Sequence, residues 1–142
     1  MSVRSQIKSR MRQTLEGIRR SAGCRCEVAR VDTVPRHWEQ VNRFPHLFFE
    51  FESEARENLP SGRRRCRIAF RVVGYVKGRD PDALMEELTA DIESALAADP
   101  TLGGLAVDCR TTEVSTTGNW ETPHGMAVLS GEILYHADFQ SP

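Results

Sequence analysis

The sequence is short of most features that assign a protein at sight. Across 142 residues no apolar run approaches the roughly 18 residues that a membrane span needs. The N-terminus lacks the apolar stretch of a secretory signal. Neither sign of charge is in excess: 19 Lys plus Arg stand against 20 Asp plus Glu, a net charge of −1, which argues against a globally basic nucleic-acid binder. Four cysteines do not make a disulfide scaffold in a chain of this length. Cys24 and Cys26 form a lone Cys-x-Cys with no second pair at zinc-ligand spacing. Cys66 and Cys109 fall on the apolar sides of expected strands, where free cysteine behaves as a small hydrophobe. Reduced, unligated thiols and folding in the cytoplasm are the expectation.

Catalytic templates are missing too. There is no G-x-S-x-G, no H-E-x-x-H, no Walker-type G-K-[ST] and no G-x-G-x-x-G after a strand. His37, His46, His124 and His136 have no partners at metal-ligand spacing. The row Glu50, Glu52 and Glu54 does not suggest hydrolysis, because basic residues are expected opposite it. No enzymatic activity, cofactor or metal is therefore expected. Internal repeats and low-complexity tracts are also absent.

What is present is an ordinary globular composition, 39% hydrophobic and 27% charged, which excludes disorder. At this length one domain, residues 1–142, is expected. Val3, Ile7, Met11, Leu15 and Ile18 form one apolar stripe and predict a helix over 3–22, with Ser2 as N-cap and Gly23 as stop. Its Arg- and Ser-rich start could pass for a transit peptide, but a basic amphipathic helix is the better reading. A first strand is expected from Cys26 to Val34, then an irregular loop from Arg36 to His46.

Residues 47–55 and 64–77 predict a hairpin. Leu47, Phe49 and Phe51 alternate with Glu50, Glu52 and Glu54; Cys66, Ile68, Phe70, Val72 and Val76 alternate with Arg65, Arg67, Arg71 and Lys77. Asp80-Pro81 opens a second helix with the stripe Leu84, Leu88, Ile92 and Leu96, stopped by Asp99-Pro100 and Gly103-Gly104. Strands near 105–114 and 126–139 follow, joined by a polar loop from Ser115 to Gly125, with Leu129, Ile133, Tyr135 and Phe139 on one face. The order α-β-β-β-α-β-β implies an α+β fold, a mostly antiparallel sheet of about five strands with two helices packed on it.

Charge is segregated along the chain. Antiparallel pairing about Pro60 sets the glutamate row beside Arg65, Arg67 and Arg71, where cross-strand pairs stabilise register by roughly 0.2–1 kcal/mol each. Arg63 and Arg64, near the tip, remain as candidate partner contacts, together with the loop tryptophans Trp38 and Trp120, since Trp and Arg dominate binding hot spots. Residues 2–20 carry six bases and one acid, and residues 80–100 carry seven acids and no base. Either these helices meet within the domain, or one subunit's basic helix meets a neighbour's acidic one. The subunit-contact candidates are Lys8, Arg12 and Arg19 on the first helix and Glu86, Glu87 and Asp91 on the second.

The segment Ile92-Glu-Ser-Ala-Leu-Ala-Ala-Asp-Pro-Thr-Leu-Gly-Gly-Leu105 resembles the second-helix exit of tail terminator (tail completion) proteins of long-tailed bacteriophages. In those proteins a helix gives way to an Asp-x-x-Leu-Gly-Gly turn and then a hairpin. The strand exit Tyr75-Val-Lys-Gly-Arg-Asp-Pro81 and the last strand through Ile133-Leu134-Tyr135 are similar too. The resemblance implies a single tail-terminator-like domain and a non-enzymatic virion assembly protein. Its members form a hexameric ring that caps the tail tube, stops tube growth and presents the joining surface to neck or head-completion proteins and, in contractile tails, the sheath. It further implies residence in the virion after assembly in the host cytoplasm, with DNA only passing through the lumen and no membrane partner. The competing expectations are another head–tail connector or neck protein, a small-ligand or enzymatic domain with His37, His46 or His124 in a cleft, and a nucleic-acid module using Arg63, Arg64 and the first helix.

Overall fold

The computed structural model describes residues 1–118, 121–140 and 142, and of Trp38 only the backbone. Among these residues the elements are α1 (Val3–Glu16), β1 (Arg30–Asp32), β2 (His46–Leu59), β3 (Arg63–Lys77), α2 (Pro81–Ala98), β4 (Asp108–Gly118) and β5 (His124–Asp138). Single 3-10 turns stand at Arg20–Ala22, Trp38–Gln40 and Pro60–Gly62. The order is the expected α-β-β-β-α-β-β. The strands make one open sheet, β1-β2-β3-β5-β4, antiparallel except for the parallel β1–β2 pair.

Both helices lie on one face of the sheet. Ser2 caps α1 by accepting the Ser5 N–H at 3.1 Å, and Ile7, Met11 and Leu15 are fully buried. Fully burying each such side chain stabilises by about 1.5–3 kcal/mol. The helix ends at Glu16 rather than at residue 22. The Gly17 N–H closes on the Gln13 carbonyl and the Ile18 N–H on that of Leu15, which tightens the last turn and ends the helix. Ile18 nevertheless drops into the core, so the apolar spacing outlives the helix. Asp80 caps α2 through the Ala83 N–H at 3.2 Å, with Pro81 as first helical residue, and Leu88, Ile92 and Leu96 are buried as expected.

The first strand is far shorter than Cys26–Val34. Cys26 and Val28 are buried, but the Cys26 N–H goes to the Asp91 carboxylate and the Val28 N–H to the Ile18 carbonyl, so neither joins a ladder. The hairpin pairs over nearly its whole length, from His46↔Tyr75 to Leu59↔Arg63, longer at both ends than expected. A bulge at Glu52 breaks the alternation of β2 between Phe51 and Ser53. Glu50 keeps its expected place and its carboxylate pairs with Arg71. Glu54, however, is turned onto the helix side, and the partner of Arg65 is Glu57 at 3.3 Å.

The last two strands also depart from their expected ranges. β4 starts three residues late and runs on through Gly118, and β5 begins at His124, so the polar connection is much shorter than Ser115–Gly125. Leu129, Ile133 and Tyr135 share the buried face, whereas Phe139 lies beyond the strand end and is exposed. β4 has its own bulge between Thr111 and Glu113, at the sheet level of the β2 bulge, because Phe70 pairs with Gly131 there. Gly131 is required at this level: a Cβ would stand 2.2 Å from the Arg110 carbonyl oxygen and 2.7 Å from the Phe70 ring.

Among the described residues the opposite face of the sheet carries no α-helix. At one end Val41, Phe48, Val73 and Tyr75 form a second small core, covered by the Arg36–Pro45 loop with its cis Phe44–Pro45 peptide. Beyond it this face alternates charged residues such as Glu50, Arg65, Arg71 and Glu132 with scattered apolar ones, Ala55, Ala69 and Leu134.

Candidate functional site

The six helix residues expected at a subunit contact are dispersed by the fold. Lys8 is half-buried with its Nζ 5.6 Å from the Phe51 ring centroid. Arg12 is exposed and pairs along its own helix with Glu16 at 3.4 Å, and Arg19 is exposed beyond the helix end. Glu86 is exposed, and Glu87, half-buried, lines a groove with Arg20, Arg25 and Lys77. Asp91 is buried, its two oxygens accepting the Arg25 N–H at 3.2 Å and the Cys26 N–H at 2.7 Å, so its charge is committed within the chain. The sequence carried a signal for this: Asp91 stands seven residues after Leu84 and three after Leu88, on the apolar stripe. The basic and acidic helices do meet within the chain, at Arg10–Asp99, 2.9 Å apart.

That contact belongs to the helix-exit motif. Asp99 Oδ1 accepts the Gly103 N–H at 2.9 Å, while Leu102, Gly103 and Gly104 all take left-handed backbone angles, φ +49, +70 and +86. The glycines meet this demand at little steric cost, and Leu102 is fully buried, plugging the turn. Arg10 packs where a side chain on Gly103 would stand. The Gly103 N–H, with Arg10, holds the Asp99 carboxyl below the usual aspartate range. The motif therefore ties the end of α2 to α1 and aims the chain into β4.

At the hairpin's tip end, Glu54 is the hub. Its side chain, 5% exposed, accepts the Tyr135 hydroxyl at 2.7 Å, the Arg4 guanidinium at 3.0 Å and that of Arg56. Burial works against its charge, but the hydrogen bonds from Tyr135, Arg56 and Arg4 together outweigh it and lower its pKa. No local sequence signal marks this hub, because it depends on the bulge. Nearby, Arg63 faces Asp138 at 3.8 Å and Arg64 lies over the Phe139 ring at 4.9 Å, so both tip arginines engage the chain's own last strand and its exit. The expected contacts at Trp38 and Trp120 concern a side chain and a residue that lie outside the described set.

The histidines do not converge on a cleft. His46 is buried with Nε2 3.3 Å from Asp32, and Asp32 also takes Arg30 at 3.1 Å and Arg36 at 2.8 Å. Burial lowers the His46 pKa, as do the nearby Arg30 and Arg36 charges, and Asp32 only partly offsets them. The Tyr75 hydroxyl beside this group donates to the Arg36 carbonyl at 2.8 Å. An ionised carboxylate, a neutral imidazole and an engaged phenol fasten the loop to the sheet; none presents a nucleophile or a general base to solvent. His124 packs on Phe44 at 5.5 Å, and His37 is exposed. Among the described residues no group of three His, Cys, Asp or Glu side chains is placed to hold a metal ion. No described helix is long and apolar enough to cross a membrane.

A groove of about 530 Å³ between α2 and the segment after α1 is walled mainly by small residues, Gly17, Ala22, Gly23, Ala90 and Ala98. Its one carboxylate is Asp91, already bonded to backbone. All four cysteines are free thiols, and burial followed by Asp91 pushes the Cys26 thiol up to about 12, so it is inert at neutral pH. Buried ionisable groups among the described residues serve as fastenings between elements.

Comparison with known proteins matches residues 1–141 to the family described as Bacteriophage Tail Tube Terminator Protein. No curated protein matches. Among solved structures, a chain of the virion of a native gene transfer agent particle is similar, with 10% identity and a TM-score of 0.46 over 96% of this chain and 92% of that one. On the family match, which spans nearly its whole length, this chain belongs to the bacteriophage tail tube terminator protein family.

Proposed function

We propose that this protein is a structural component of phage tail assembly that forms a homo-hexameric ring on the end of the tail tube. The ring stops tube polymerisation and offers its far side to a neck or head-completion protein and, in a contractile tail, to the sheath. DNA passes through the lumen only, and the protein stays in the virion after assembly in the host cytoplasm. The observation that carries this reading is the family match over residues 1–141. The engagement of the buried ionisable groups in internal hydrogen bonds fits a non-enzymatic role.

A head-to-tail ring needs two different surfaces on each subunit. Arg12, Arg19 and Lys8 on one side and Glu86 and Glu87 on the other are the proposed contacts, with Arg63, Arg64 and the two tryptophans reserved for the next layer. Purified protein mixed with tail tube protein is expected to give rings, or ring-capped tubes of fixed length, by mass photometry and particle imaging. A strict monomer that never binds tube protein overturns the proposal. Binding to neck protein but not to tube identifies a connector instead.

A further inference from the structure

Among the described residues the sheet ends on two open edges of equal length, offset along the strands: across the sheet Asp108 is level with Ala55 and Val114 with Phe49. β1 pairs with β2 only at His46–Phe48, so from Phe49 to Leu59 no described strand lies beside β2 on that side. β4, Asp108–Gly118, closes the other margin, and no described strand pairs with its outer edge. β4 spans 11 residues, and the open part of β2, 49 through 59, spans the same number. Long exposed edges are aggregation hazards that monomers normally blunt with charge, proline or cover. The β2 edge is charged, with Glu50, Glu52, Glu54, Arg56 and Glu57. The β4 edge from Val114 to Gly118 has no charge and no proline, only Val, Ser, two Thr and Gly.

We infer that the open edge of β4 pairs antiparallel with the open edge of β2 on a second copy of this chain, so that the sheet runs on from subunit to subunit. Strand direction fits. β2 and β5 run one way and β3 and β4 the other, so a neighbour in the same orientation presents its β2 antiparallel to β4.

Charge fits independently. α2 lies over β3, β5 and β4, whereas α1 contacts β1 and reaches β2 through Arg4 and Lys8. Joining β4 to the neighbour's β2 therefore sets the acidic α2 of one subunit beside the basic α1 of the next, on the same face of the continuous sheet. The exposed acids Asp82, Glu86 and Glu93 recur at spacings of four and seven and form one stripe on α2. Pairing two β2 edges instead would set the exposed acids Glu52 and Glu57 of one copy near those of the other, which is destabilising. This inference rests on the ring reading and specifies its contact.

The test is disulfide trapping in a Cys24→Ser background, because Cys24 is the only cysteine that is not buried. Ala55→Cys or Glu57→Cys on one protomer is mixed with Glu113→Cys, Ser115→Cys or Thr117→Cys on another, in the presence of tube protein. All five positions are exposed and lie on the face without helices. The expected result is an intersubunit disulfide in the ring fraction for one pairing. Its β4 partner should move two residues toward lower numbers when the β2 cysteine moves from 55 to 57. Intact rings with no edge-to-edge disulfide overturn this inference and leave the ring reading standing, as do rings that trap β4 to β4. Absence of any ring overturns both.

Discussion

The Glu54 hub sets the outcome of one mutational cycle. Replacing Glu54 by Ala removes the acceptor shared by Tyr135, Arg4 and Arg56. The two arginine side chains are 36% and 48% exposed, so they turn to water, and each lost pair costs only about 0.2–1 kcal/mol. Tyr135 is 3% exposed and cannot turn to water; with only the weakly accepting Cys66 sulfur left to it, its hydroxyl costs about 1–3 kcal/mol. The expected total for Glu54→Ala is about 1.4–5 kcal/mol, most of it through Tyr135. Tyr135→Phe alone should cost about 1 kcal/mol, a typical net hydrogen bond. The double variant leaves no orphaned hydroxyl, so it should fall short of the sum by about 1–2 kcal/mol.

Equilibrium urea unfolding reads these differences as shifts in midpoint at constant slope. Additivity to within about 0.5 kcal/mol would refute the shared hub, since independent sites behave that way. Glu54→Gln keeps an acceptor for Tyr135 and should cost less than Glu54→Ala. Because the folded Glu54 pKa is lowered, its stabilisation is present above the unfolded value and is lost as pH falls through the folded one. The gap between wild type and Glu54→Gln should therefore be full at pH 7 and close below about pH 4. A gap that widens on acidification would contradict the sign.

Gly131→Ala drives a Cβ against a backbone oxygen and should cost about 3 kcal/mol or more. Gly125→Ala meets the flexible Met85 side chain and the stiff, buried Val76 and should cost about 1–2 kcal/mol, and Gly118→Ala meets nothing and should be neutral or slightly stabilising; equal thermal midpoints for Gly131→Ala and Gly118→Ala would contradict this order. Cys26, pushed up to about 12 by burial and then by Asp91, should resist alkylation at pH 8 while half-buried Cys24 reacts first, by mass spectrometry of timed samples. Asp91→Asn should speed Cys26 labelling at least several-fold, and an unchanged rate would separate the thiol from Asp91. His46 should titrate by NMR below its ordinary 6.5. Its stability contribution is then complete above the unfolded value and is lost as pH falls from about 6.5 toward the folded one; a midpoint above 6.5 would mean that Asp32 outweighs burial.

How much of this was legible in the sequence differs by element, for physical reasons. α2 was legible nearly to the residue, because Asp80-Pro81 and Asp99-Pro100 punctuate a stripe of strict helical spacing. The β2–β3 hairpin was legible because period-two alternation is long and its turn residues are concentrated. α1 was overextended because burial of Ile18 continues the apolar spacing after the backbone has left the helix at Gly17. β1 was overextended for the converse reason: Cys26 and Val28 are buried, but their N–H groups bond to α2 and to the chain after α1 rather than to a strand. The Glu54 hub was illegible, since one bulged residue reverses every later side chain of β2 and nothing local announces it. The tail-like end of β4 carries almost no apolar residues, so only its ladder to β5 marks it as strand.

Near-zero net charge conceals three separate arrangements with different consequences. Glu50–Arg71, Glu57–Arg65 and Arg110–Glu132 set strand register on the uncovered face. Arg10–Asp99 and the Asp32 group fasten helix to helix and loop to sheet. After these, Asp82, Glu86 and Glu93 on α2 and Arg12 and Arg19 on and after α1 remain exposed, and the two helices lie over different parts of the sheet. A two-fold contact through either helix would bring like charges together, which costs free energy. A head-to-tail contact brings opposite charges together and repeats at every subunit. The same direction of association brings the β4 edge, uncharged from Val114 to Gly118, to the charged, unpaired edge of β2. Backbone pairing and side-chain charge thus favour one direction of association, and rotation can close that direction into a ring.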